Sequence, residues 1–171
     1  GGVGMYILQI AKLCGATTAI AIGRTAEKLQ LAQEKFGADA TVNITQEKLT
    51  DSIKKITGGK GVDAVFDFVV NNESVENSTK IIANTGRLIL VGIGSEPVTI
   101  NPKRLTFKEA TILGSNVGSK HELQTLVDQA RAGKLKGVAT TKYKLNEVNE
   151  VLMALRAGKV LGRAYFDPFL K

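Results

Sequence analysis

Gly1-Gly2-Val3-Gly4-Met5-Tyr6-Ile7-Leu8-Gln9-Ile10-Ala11-Lys12-Leu13-Cys14-Gly15 is the stretch on which the reading of this chain turns. Val3, Ile7, Ile10 and Cys14 recur at the spacing of one helical face, and Gly15 supplies a stop. The pattern predicts an amphipathic helix whose first turn is mostly glycine. Bulk is therefore missing where the free N–H groups and the positive dipole end of the helix emerge, which is where an anion binds.

Gly1 and Gly4 also have the spacing of the second and third glycines of the G-x-G-x-x-G turn that holds the pyrophosphate of a dinucleotide. One of those glycines lets backbone approach the phosphates, and the other lets the helix pack close to a sheet. The first glycine and the strand that delivers it would precede residue 1, so the chain is expected to be a piece of a larger protein. Taken alone, the run equally fits a tag remnant or a frayed helix end.

The 171 residues allow one sizeable core, or one domain plus a segment borrowed from another. With 43% hydrophobic and 23% charged residues the composition is that of a soluble globular chain, not a disordered one. No apolar run reaches the roughly 18 residues of a membrane span, and no signal peptide is visible. The net charge of +7 raises the question of nucleic acid, but the 23 Lys and Arg are scattered from Lys12 to Lys171 with no basic arm or aromatic interleaving. Nucleic acid and membrane are therefore not expected partners, and the charge reads as a solvated surface, part of which faces a phosphorylated cofactor.

Cys14 is the only cysteine, which excludes an internal disulfide and suits a reducing, cytoplasmic setting. Cys14 and His121 are far apart in sequence and are no basis for a zinc site, which needs a cluster of ligands. Cys14, on the apolar stripe, reads as a small buried hydrophobe. His121 lies in Ser119-Lys120-His121-Glu122, where Ser119 and Glu122 form a capping box, so it reads as a surface helix residue. No catalytic residue and no metal ligand is expected within the chain.

Further along, short β-branched runs alternate with helical patterns, as a parallel sheet with crossover helices requires. Thr17 to Ile22 reads as a strand, Thr25 to Phe36 as a helix closed by Gly37, Ala40 to Ile44 as a strand, and Glu47 to Ile56 as a helix stopped by Gly58-Gly59. Val62 to Phe68 is nearly continuous apolar sequence, as expected of a strand buried on both faces. Asn72 to Ala83 reads as a helix and Gly86 to Val91 as another buried strand. Gly94 to Asn101 holds a short extended run, Pro102 to Glu109 reads as a polar connection, and Ala110 to Leu113 as a last strand near a sheet edge. From Ser119 the pattern is helix, strand (Val138 to Tyr143), helix (Asn146 to Ala157) and strand (Arg163 to Phe166).

Together these segments resemble the cofactor half of the medium-chain dehydrogenases, the zinc-containing alcohol dehydrogenase family. The matching runs are Gly1-Gly2-Val3-Gly4, Thr57-Gly58-Gly59-Lys60-Gly61-Val62-Asp63, Thr85-Gly86-Arg87-Leu88 with Val91-Gly92, Ile112-Leu113-Gly114-Ser115, and Leu161-Gly162-Arg163, in the family's order across almost the whole chain. The resemblance implies an α/β fold, a doubly wound parallel Rossmann sheet over residues 1–118 that lacks its first central strand. Residues 119–171 are implied to return to a catalytic domain absent from this chain, and zinc is expected only in that domain.

The resemblance also implies where a cofactor sits. Gly1, Gly2, Val3 and Gly4 would meet the pyrophosphate with backbone N–H groups, joined by Arg163 through a charge-assisted contact. Phe68 and Val69 would wall the adenosine. Val91, Gly92 and Ile93, with Ser115 and Val117, would orient the nicotinamide carboxamide.

About 20 residues after the turn, NAD enzymes place an acidic residue on the ribose 2′-hydroxyl. Here that place is taken by Gly23, followed by Arg24 with Lys28 one turn on. Gly23 leaves room for a 2′-phosphate and Arg24 can pair with it, which favours NADP over NAD. The activity implied is hydride transfer between a small alcohol or carbonyl substrate and the nicotinamide. A zinc-free quinone or enone reductase of the same superfamily shares this cofactor half, and a nucleotide-binding module without chemistry is the reading from another class. The edge around Pro97 to Asn101 and Ala110 to Leu113 is expected to pair with another copy, giving a homodimer or homotetramer.

Overall fold

The chain is described by a computed structural model over residues 1–94 and 97–170. Seven helices and seven strands are described, with α1 (Gly2–Leu13), β1 (Ile20–Gly23), α2 (Ala26–Phe36), β2 (Ala40–Asn43), α3 (Leu49–Thr57), β3 (Val62–Asp67), α4 (Asn72–Ile81) and β4 (Ile82–Leu90) forming the first part. Then come α5 (Pro102–Lys108), β5 (Thr111–Gly114), α6 (Lys120–Arg131), β6 (Thr140–Lys144), a 3-10 turn (Leu145–Glu147), α7 (Val148–Arg156) and β7 (Arg163–Asp167). Among the described residues, no helix is long and apolar enough to cross a membrane.

The strands make three sheets, in the orders β1-β2, β3-β4-β5 and β6-β7. β3, β4 and β5 run parallel in register from Ala64 opposite Arg87 and Arg87 opposite Thr111, and β6 runs parallel to β7 from Thr140 opposite Arg163. A doubly wound sheet has the order 3-2-1-4-5-6. The pair β2-β1 and the triplet β3-β4-β5 match the 3-2 and 4-5-6 parts of that order, in keeping with the α/β, doubly wound reading.

The chain divides into two compact units, Gly1–Ala21 with Thr25–Thr41 and His121–Lys171, and Ile22–Arg24 with Val42–Lys120. In the first, Met5 and Leu8 of α1 and Ala32 and Phe36 of α2 pack with Ala19, Ala38 and Val138. The Lys12 ammonium reaches the Thr17 carbonyl at 2.9 Å and the Asp39 carboxylate at 3.0 Å, and Asp39 accepts the Ala19 N–H at 2.6 Å, so three turns are tied at one point. In the second unit, Val75 of α4 packs on Ile82 and Leu88 of β4. Asn71 and Ser74 cap α4 reciprocally at 2.8 and 3.0 Å.

Several expectations change. α1 buries Met5, Leu8 and Gln9, whereas Val3 and Cys14 are exposed. The helix is apolar on most of its circumference, so periodicity alone does not choose a face. β3 is not buried on both faces, since Asp63, Ala64 and Phe66 are exposed on an edge strand, and β4 alternates, with Leu88 buried and Arg87 exposed. Residues 102–108, expected as a connection, form α5. Asn101 accepts the Arg104 N–H at 3.2 Å as its cap, and Pro102 stands at the first helical position, where its missing N–H costs nothing. The extended run expected from Gly94 to Asn101 includes residues 95 and 96, which lie outside the described residues.

Candidate functional site

In the first unit, α1 opens without a cap. Gly1 offers no side-chain bond and the first turn holds no acidic residue, while the Gly1 carbonyl accepts the Met5 N–H at 3.2 Å. The N–H groups of Gly2, Val3 and Gly4 come before that first bond and have no intrahelical acceptor. Gly2 is buried, because the Arg163 side chain lies across it, and a Cβ built on Gly2 would collide with the Arg163 Nε. Only glycine permits that approach.

The Lys28 ammonium donates to the Gly158 carbonyl at 2.7 Å. Lys28 and Arg163 both lie close enough to the Gly1 nitrogen for their positive charges to bear on it. Free N–H groups, a helix dipole and two cations thus act on one spot, a field suited to a doubly anionic group. Gly1, Gly2, Val3, Gly4, Lys28 and Arg163 are brought together there.

In the second unit, Gly23 ends β1 and its carbonyl accepts the Ile44 N–H at 3.0 Å. Arg24 is exposed and makes no ion pair among the described residues. The remaining expected residues sit past the carboxyl ends of three parallel strands, where open α/β sheets bind ligands. Phe68 and Val69 follow β3. Val91 and Gly92 follow β4, and their N–H groups donate to the Asp67 carbonyl at 2.9 and 3.0 Å. Ser115 follows β5 and donates to the Leu90 carbonyl at 2.9 Å. Ile93 and Val117 are 95% and 93% exposed, a degree unusual for aliphatic side chains. An open cleft of about 590 Å³ is lined by Val69, Val70, Asn71, Asn72, Glu73, Ile93 and Gly94.

Asp67 is the residue that sequence reasoning missed. It is 5% exposed at the end of β3, where one carboxylate oxygen accepts the N–H groups of Val69 at 2.8 Å and Val70 at 3.0 Å. Its other oxygen is buried without a hydrogen-bond partner among the described residues. The carboxylate therefore curls the chain sharply after β3, and Val70 takes a φ of 53° there. Val117, past β5, has a φ of 44°. β-branched residues rarely adopt this left-handed region, and such strain concentrates at functional sites. The only sequence signal was a lone carboxylate closing an apolar strand.

Among the described residues, no three His, Cys, Asp or Glu side chains gather as a metal site. The described residues therefore do not fit a zinc ion.

Comparison with known proteins gives this geometry a context. The family model described as zinc-binding dehydrogenase matches residues 2–132. The NAD-dependent alcohol dehydrogenase of Sulfurisphaera tokodaii is 31% identical over 168 residues, which cover 98% of this chain and 48% of the relative. The D-arabinose 1-dehydrogenase (NADP(+)) of Saccharolobus solfataricus is 32% identical over 170 residues, covering 98% of this chain and 47% of the relative. The crystal structure of the alcohol dehydrogenase from the hyperthermophilic archaeon Aeropyrum pernix matches with a TM-score of 0.90 at 36% identity, over 98% of this chain and 48% of that one. The chain spans about half the length of the curated relatives it matches. An uncapped glycine turn under an arginine, loops gathered at parallel strand ends, and a family model matching residues 2–132 agree: the chain belongs to the zinc-binding dehydrogenase family.

Proposed function

We propose that this chain is the dinucleotide-binding half of an NAD(P)-dependent alcohol dehydrogenase, acting on a small alcohol or carbonyl substrate in the cytoplasm. The observation that carries the reading is Arg163 lying across buried Gly2 at the uncapped start of α1, beside Lys28. When bound, the nicotinamide supplies the carbon that accepts or gives the hydride. The chain's own residues bind and orient. Gly2 and Val3 donate N–H groups to the pyrophosphate and Arg163 neutralises it. Phe68 and Val69 wall the adenosine. Val91, Gly92, Ile93, Ser115 and Val117 present backbone to the carboxamide, with the 67–70 curl held by Asp67 as one side of that wall.

Gly23 and exposed Arg24 support NADP over NAD, since Gly23 takes the place of the acidic residue of NAD enzymes and Arg24 can pair with a 2′-phosphate. Residues 1–118 are assigned to the dinucleotide domain and 119–171 to a return toward a catalytic domain, which would hold any zinc. The edge of β5, with Leu113 exposed, is assigned to pairing in a homodimer or homotetramer.

Titration of NADH and NADPH into the protein carrying this chain, followed by nicotinamide fluorescence, tests the reading. Gly2→Ala puts a methyl group into Arg163 and should weaken both dinucleotides by about tenfold or more, the worth of one charged hydrogen bond. Unchanged affinity in Gly2→Ala, or no binding by the wild type, would contradict it.

A further inference from the structure

Gln9 lies in the middle of α1 and is 8% exposed, yet nothing in the glycine motif calls for an amide there. Its Oε1 accepts the Lys136 N–H at 2.7 Å, and its Nε2 donates to the Lys136 carbonyl at 3.1 Å and to the Met5 carbonyl at 3.3 Å. One side chain thus pairs both backbone polar groups of a residue 127 positions away, as a neighbouring strand would. Burying an amide is costly unless such bonds are made. An aliphatic side chain would fill the same space without that demand, so the amide has a use beyond packing.

That use can be followed along the backbone. Gln9 fixes residue 136, and Val138, two residues on, is buried against Met5, Leu8 and Phe36. The Ala139 carbonyl then accepts the Arg163 N–H at 2.8 Å. Gly162, at a φ of 76°, presses so closely on that carbonyl that no Cβ would fit. Arg163 in turn lies across Gly2, at the start of the helix that carries Gln9. The path is closed. One helix binds the 136–139 segment at its middle, and that segment delivers an arginine to the same helix's first turn.

We propose that Gln9 is a positioning residue for Arg163, setting the guanidinium over the free N–H groups of α1 so that both address one pyrophosphate. The proposal rests on the reading of Gly2 and Arg163 as the pyrophosphate site. Without the amide, residues 136–139 are held to α1 by apolar contact alone, which fixes distance but not register. Arg163 then loses its alignment with the N–H groups, while the fold keeps its core.

A double-mutant cycle on dinucleotide affinity in the protein carrying this chain tests it. Gln9→Met keeps the volume and helix propensity while deleting the paired bonds, and Gln9→Glu keeps an acceptor for the Lys136 N–H but faces the Lys136 carbonyl with a second oxygen. Gln9→Met is expected to weaken NADPH binding about five- to tenfold beside wild-type Arg163, and less than about twofold in the Arg163→Ala background, because the pair acts as one unit. Gln9→Glu should fall between wild type and Gln9→Met. Equal losses in both backgrounds, or a lowered Tm with affinity unchanged, would overturn the positioning role. If Arg163→Ala alone leaves affinity unchanged, the pyrophosphate reading falls and the role of Gln9 falls with it. If Gln9→Met does not fold, the same cycle run with Gln9→Glu decides.

Discussion

Arg24 is the residue on which the proposed preference for NADP rests. It stands exposed one position after Gly23, with no ion pair among the described residues to occupy it. Arg24→Ala should weaken NADP by about 1.5 to 3 kcal/mol, the worth of hydrogen bonds to a charged group, while barely changing NAD. Gly23→Asp should move the preference the other way. The ratio of the two affinities is the quantity to measure, and equal losses for both cofactors in Arg24→Ala would return Arg24 to the role of a solvated helix-start side chain. Val117 permits a cleaner test of strain. At 93% exposure it has little packing to lose, and its φ of 44° is unfavourable for a β-branched residue by about 1 to 2 kcal/mol. Val117→Gly should therefore raise stability by about 1 kcal/mol in denaturant unfolding after glycine's own entropy is deducted, and a loss would show that the Val117 side chain holds the loop. The glycine turn was readable from its motif spacing and Arg163 only through the family resemblance, and the structure sets the Arg163 side chain across Gly2. Asp67 and Gln9 were not readable, since each matters through backbone it meets only after the chain has folded.

Element identity was mostly readable because helical and strand periods differ, and the alternation survives from β1 to β7. Two things were not readable. α5 has seven residues, too few for an apolar period to emerge, and its start signal is the Asn101-Pro102 pair alone. The buried face of α1 was misplaced because several faces of that helix are apolar, and the polar Gln9 lies on the buried one. The junction beneath α1 also sets a pH response. The Asp39 carboxyl lies below its ordinary pKa, chiefly through the Ala19 N–H and then the Lys12 ammonium. A depressed folded pKa stabilises the fold above the ordinary carboxylate range, and the contribution is lost as pH falls through the folded value. Asp39→Asn should thus be less stable than wild type at about pH 7, with the gap closing only as the pH falls below the ordinary carboxylate range. A gap independent of pH in urea unfolding would mean that the ionised form of Asp39 contributes nothing.

At the scale of the molecule, the strand orders β1-β2 and β3-β4-β5 leave open edges, and β5 presents Leu113 at one of them. Pairing there predicts a dimer or tetramer in sedimentation, dissociated by Leu113→Glu, and a monomeric wild type would reject it. We propose that a nicotinamide dinucleotide binds with its pyrophosphate at the start of α1. A crystal structure of the protein with NADPH measures this directly. It should place the pyrophosphate oxygens within hydrogen-bond distance of the Gly2 and Val3 N–H groups and of the Arg163 guanidinium, and a dinucleotide bound with that turn empty would contradict it.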